Sequence, residues 1–69
     1  MKTHGGPKLH DVAFIEVLRE TPLAYLLVFA PLKTEWLPKS QVELHLEDLI
    51  ITVPYWLVRD KGLDNYVVD

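Results

Sequence analysis

Apolar and polar residues alternate most regularly between Val42 and Glu47, where Val42, Leu44 and Leu46 are separated by Glu43, His45 and Glu47. Alternation with period two puts one set on each face of an extended chain, so this stretch predicts a half-buried β-strand. Residues 23–30, Leu-Ala-Tyr-Leu-Leu-Val-Phe-Ala, behave differently, because both alternating sets are apolar. Leu23, Tyr25, Leu27 and Phe29 fall on one face, and Ala24, Leu26, Val28 and Ala30 on the other. A strand with no polar face is buried on both sides or covered by a partner. Pro22 and Pro31 bracket the run, and its aromatic residues favour a strand over a helix of the same length.

The same reading predicts a first strand over Leu9–Arg19, and a turn at Glu20-Thr21-Pro22. A short third strand follows Pro31, with Leu32 and Trp36 on one face and Lys33 and Glu35 pointing out. Glu47-Asp48 turns the alternating strand into residues 49–53 as a hairpin, without the glycine that the tightest turns favour. Pro54 suits the start of a helix, which runs about two turns to Gly62 as its stop, with Arg59 and Lys61 at the end of the helix dipole that favours cations. Tyr55 or Trp56, with Leu57, Val58 and Leu63, would cap one open end of the sheet. The expected fold is therefore mostly β with one short C-terminal helix: a small, strongly bent five-stranded sheet or an SH3-like or OB-like barrel, since closure removes bare edges. Residues 1–8 are polar around Gly-Gly-Pro and are expected to form a flexible arm. Residues 9–63 form the single domain, and 64–69 a tail. Tyr66, Val67 and Val68 make that tail apolar enough to add an edge strand.

Composition narrows the function classes. A chain of 69 residues buries only about 60% of its unfolded surface, so a second copy of the chain is a candidate partner as a source of stability. The absence of cysteine removes disulfides and thiolate metal sites. The apolar runs are too short or too proline-broken to span a bilayer, and the N-terminus has no apolar stretch of the signal-peptide type. A cytoplasmic location without membrane partners is the expectation. Ten acidic against seven basic residues give a net charge of −3, which argues against binding nucleic acid by bulk electrostatics.

Three stretches, "ETPLAYLLVF", "EWLPKSQ" and "ITVPYWLVRDKGL", carry a further likeness. Their pattern resembles a set of short proteins of bacteriophages and other mobile elements. The matching positions are Glu20, Thr21 and Ala24, then Trp36, Pro38, Lys39, Ser40 and Gln41, then Pro54, Trp56, Leu57, Lys61, Gly62 and Leu63. The likeness covers about residues 12–63, and "APLKTE" stands where those proteins have a glycine-containing polar turn. It implies a phage or mobile-element setting, not an activity.

The candidate contact residues are Trp36, Lys39, Ser40 and Gln41 in the corner between two strands, with Arg59, Lys61 and Tyr66 near the C-terminus. An aromatic face beside a cation and a hydroxyl suits a phosphate or a partner loop, and one base stacked on an aromatic is worth about 1–3 kcal/mol. The plainer account is that Pro38 and Ser40 only turn the chain. By their place in the pattern Trp36 and Trp56 are expected in the core. Lys8, Lys33, Lys39, Arg59 and Lys61 form a basic patch only if the fold gathers them, and are otherwise a solvated surface. Glu43, His45 and Glu47 on one strand face are the weakest candidate for metal or acid–base chemistry, and a solvated strand face explains them. No catalytic residue, cofactor or metal is expected. The expected function is a non-enzymatic protein-binding module of phage or mobile-element type, with inhibition of a host or defence protein as one form of that role. Single-stranded nucleic-acid binding at the aromatic and basic corner is the alternative.

Overall fold

The structure, a computed structural model, describes residues 8–69. Apart from Lys8, the arm expected over residues 1–8 lies outside the described residues; the Lys8 carbonyl accepts the Tyr55 N–H at 2.8 Å. The described chain contains six strands: β1 (Leu9–Ala13), β2 (Glu16–Glu20), β3 (Ala24–Ala30), β4 (Lys33–Pro38), β5 (Glu43–His45) and β6 (Ile50–Pro54), followed by the helix α1 (Tyr55–Lys61). They form two antiparallel three-stranded sheets, ordered β1-β6-β5 and β2-β3-β4. The mostly β fold with one C-terminal helix is as expected, but it is neither one five-stranded sheet nor a closed barrel.

The difference arises at Phe14-Ile15. The single strand expected over Leu9–Arg19 is two strands in two sheets. The Phe14 N–H bonds the Leu49 carbonyl at 3.0 Å at the end of the first sheet. The next N–H, of Ile15, bonds the Val28 carbonyl at 2.7 Å in the second. The chain thus changes sheets between adjacent peptide groups, with no glycine or proline to mark the place.

The inner faces of the two sheets meet in one core. Val12, Phe14, Ile51 and Val53 come from the first sheet and its exit, Leu27, Phe29 and Leu37 from the second, and Leu57, Val58 and Leu63 from the helix and its end. No polar or charged residue is buried among the described residues. Strand β4 enters this core in the opposite phase to the expected one. Leu37 pairs with Tyr25 and is fully buried, so Lys33 and Glu35 share its side as a half-buried ion pair at 3.1 Å. Leu32 is 100% exposed in the preceding turn, and Trp36 points away from the core. A shift of one residue in a strand exchanges the two faces, and here Leu37 rather than Trp36 fixes the phase.

Strand β5 is also shorter than its alternation suggests. It ends at His45, and Leu46–Asp48 form a 3₁₀ turn that leaves Leu46 exposed. The expected hairpin to β6 does form, and the turn is completed by Leu49 in the left-handed region, at φ 55° and ψ 45°. The helix ends as the sequence predicts. Gly62 adopts φ +67°, its N–H bonds the Arg59 carbonyl, and the Leu63 N–H bonds the Val58 carbonyl at 2.9 Å. This is the Schellman arrangement, completed by the apolar contact expected between the two residues it brings together, Val58 and Leu63, both buried.

Gly62→Ala is expected to destabilise the fold by about 1 kcal/mol, because a Cβ is strained at positive φ. Among the described residues the close neighbour of that Cβ is the Lys33 ammonium at 3.2 Å, which can move aside. Urea denaturation should therefore show a smaller loss for Gly62→Asn than for Gly62→Ala; equal losses would contradict a backbone origin.

Candidate partner-binding site

The outer faces of the two sheets differ in chemistry. On the β1-β6-β5 sheet, Asp11, Thr52 and Glu43 lie in one cross-strand row. The Thr52 hydroxyl donates to Asp11 Oδ1 at 2.8 Å, and His45 Nε2 lies 3.1 Å from the same hydroxyl oxygen and 3.7 Å from Glu43 Oε1. A carboxylate only accepts, so the hydroxyl proton points to Asp11 and His45 Nε2 must carry the proton it shares with Thr52. In this state His45 cannot act as a base toward that hydroxyl. The expected Glu43/His45/Glu47 face is not assembled, because Glu47 lies in the turn after the strand. Among the described residues no three His, Asp or Glu side chains are close enough to hold a metal ion, and no cavity encloses a small molecule.

The outer face of the β2-β3-β4 sheet is apolar. Leu26 and Val28 of β3 stand at its centre, with Trp36 opposite Leu26 and Thr34 opposite Val28 on β4. On the other flank a β-bulge sets two residues, Leu18 and Arg19, against the single Leu26, while Glu16 lies opposite Val28. The helix packs against β1 and β6, not over this face. Leu26 and Val28 are half-buried, whereas Trp36 is 41% and Leu18 52% exposed. The two apolar sets of β3 thus divide: Leu27 and Phe29 enter the core, and Leu26 and Val28 form the floor of a patch that the other described elements leave uncovered.

The contact set expected from the sequence is not brought together. Lys39 begins a 3₁₀ turn (Lys39–Gln41) in which Ser40 and Gln41 are exposed. Its backbone N–H bonds the Leu23 carbonyl at 2.8 Å. Its ammonium pairs with Glu20 and lies 4.9 Å from the centre of the Tyr25 ring. Tyr25 and Leu26 alternate on β3, so Lys39 and Trp36 are on opposite sides of the sheet. Arg59 is bonded to the Tyr55 hydroxyl at 3.1 Å, Lys61 is half-buried at the helix end, and Tyr66 packs on Phe29 with ring centres 5.8 Å apart. Of the basic residues expected to form a patch, Lys33 is held by Glu35, Lys39 by Glu20 and Arg59 by the Tyr55 hydroxyl, each engaged locally. Neither tryptophan is in the core as expected. Leu57 and Val58 take the buried side of the seven-residue helix and leave Trp56 52% exposed.

The C-terminal tail lies along the free edge of β1. Val67 bridges Val12 in antiparallel fashion, and the Val68 N–H bonds the Asp11 carbonyl at 2.9 Å. The Asp69 carboxylate accepts the Asp11 N–H at 3.0 Å and lies 3.2 Å from His10 Nδ1. The Asp11 N–H, and after it His10, hold the Asp69 carboxyl below the ordinary value of 3.8.

Comparison with family models, with curated proteins and with solved structures gives no match. No helix among the described residues is long and apolar enough to cross a membrane.

Because the Asp69 carboxyl titrates below its ordinary value in the folded chain, its hold on the tail is fully present above pH 3.8 and is lost as pH falls through the lower, folded value. The NMR shift of the Asp11 amide should follow this titration with a midpoint below 3.8, and Asp69→Asn should abolish it. A midpoint at or above the ordinary value would contradict the contact.

Proposed function

We propose that this chain is a non-enzymatic protein-binding module whose working surface is the outer face of the β2-β3-β4 sheet. The observation that carries the reading is the uncovered patch of Leu26, Val28, Leu18 and Trp36 on a sheet whose central strand is apolar on both faces. An aromatic and aliphatic centre with a charged rim, here Glu16 and Arg19, has the make-up of a protein interface. The phage or mobile-element likeness supports a partner in the host cytoplasm, such as a defence protein, which the module would inhibit by occupying its surface. Single-stranded nucleic acid is the second reading, favoured by the outward indole of Trp36. Its weakness is that the Lys39 cation lies across the sheet and is already paired with Glu20.

The test is affinity capture from host lysate with and without nuclease, using the tagged chain and a Leu18→Ser/Trp36→Ser double variant, with Glu43→Gln on the other sheet as control. A protein retained after nuclease by the parent and by Glu43→Gln, and lost at least about tenfold by the double variant, is the expected result. Retention indifferent to the double variant would overturn the assignment of the face. Loss of all partners on digestion would transfer the reading to nucleic acid.

A further inference from the structure

An edge strand exposes a row of unpaired backbone groups that invites another strand. On the free side of β1 that row is partly occupied by the chain's own tail. The Val68 N–H bonds the Asp11 carbonyl, and in a regular antiparallel pair the Asp11 N–H would return a bond to the Val68 carbonyl. Instead the Asp69 side chain takes that N–H at 3.0 Å while its other oxygen faces His10 Nδ1 at 3.2 Å. The edge thus offers a backbone acceptor, a backbone donor and an imidazole in succession, and the tail meets them with a backbone donor and a carboxylate.

We propose that the β1 edge is a peptide-recognition strand for an extended segment with an aliphatic residue two positions before an acidic one, and that Val67, Val68 and Asp69 occupy it as an internal competitor. The acidic residue is specified by charge. A carboxylate accepts from the Asp11 N–H and pairs with His10 at once, whereas a basic side chain would find a donor and an imidazole facing it. The aliphatic residue is specified by the Val67–Val12 bridge, in which both side chains adjoin the core, while Val68 contributes its backbone N–H. The competitor is weakly held, since Val68 is 58% and the Asp69 side chain 38% exposed. Other groups around His10 and Asp69 are the Tyr55 ring, 5.7 Å from the imidazole, and Arg59, which is bonded to the Tyr55 hydroxyl. Recognition by strand addition draws its affinity from the main chain and its selectivity from such side-chain contacts. This surface is separate from the outer face of the β2-β3-β4 sheet and does not depend on that reading.

The test uses the 69-residue chain with Asp69→Ala, which removes both carboxylate contacts from an exposed side chain. Its probe is a capped peptide with the sequence of residues 64–69, Asp-Asn-Tyr-Val-Val-Asp, together with the same peptide carrying Asn in place of its final Asp. The expected result is binding with amide shift changes centred on His10, Asp11 and Val12, about tenfold tighter for the variant than for the parent chain. The Asn peptide, and the acidic peptide on the additional variant His10→Ala, should bind about tenfold more weakly, the loss of one charge-assisted bond. Val68→Pro, which deletes the Val68 N–H, supplies the same displacement if Asp69→Ala disturbs the fold. Folded variants that show no shift at residues 10–12 at about 1 mM peptide, or equal affinity for the two peptides, would overturn the proposal.

Discussion

Strand β3 is apolar on both faces, and the described elements cover only one of them. Leu27 and Phe29 lie between the sheets, where β1, β6 and the helix close over them. The helix is directed there by its own chemistry: Pro54 precedes it, Gly62 ends it, and Leu57, Val58 and Leu63 draw it toward β1 and β6. Among the described residues nothing comparable lies over Leu26 and Val28, whose cover is the flanking Trp36 and Leu18. Full burial of such side chains is worth about 1.5–3 kcal/mol each. The patch therefore holds several kcal/mol that only an additional surface can realise.

The other outer face shows the opposite solution. Asp11, Thr52 and His45 satisfy one another across three strands, so the row faces water without a polar group in need of a partner. Asp11 is common to this row and to the tail. Its side chain accepts from Thr52, its carbonyl accepts from Val68, and its N–H reaches Asp69. One residue thus links the polar face of the first sheet to the segment that shields its edge, while the second sheet keeps an apolar back. The two surfaces differ in kind: an apolar sheet face in one case and a backbone edge beside an imidazole in the other.

What the sequence reveals and what it hides follows from the range of the interactions involved. The helix and its glycine stop were legible because proline and positive-φ glycine act within a few residues. The strand character of residues 24–30 was legible from composition, and so was the need to cover both faces. Which face stays open was not, since it depends on where a helix thirty residues later comes to rest. The break at Phe14-Ile15 is set by hydrogen bonds to Leu49 and Val28, far along the chain, and no local residue signals it. Shared strand parity of Leu32 and Trp36 points Trp36 inward, but the turn at Pro31-Leu32 keeps Leu32 in water and Leu37 claims the core. Leu49 completes a left-handed turn without glycine, so the hairpin formed where its usual signal was absent. At the candidate site, Trp36 and Lys39 are neighbours in sequence, yet the sheet lies between them. Val28 belongs to the doubly apolar strand, which is its signal, whereas Leu18 reaches the face through a bulge in β2 that no local residue announces.

The central claim is that the outer face of the β2-β3-β4 sheet contacts a protein in the cell. Its most direct measurement is site-specific photo-cross-linking in vivo, with benzoylphenylalanine placed at Thr34, which is exposed beside Val28 and Trp36, and separately at Glu43 on the polar sheet. The account predicts a discrete protein adduct from position 34 and none from position 43. An adduct from position 43 alone, or a nucleic-acid adduct from position 34, would contradict it.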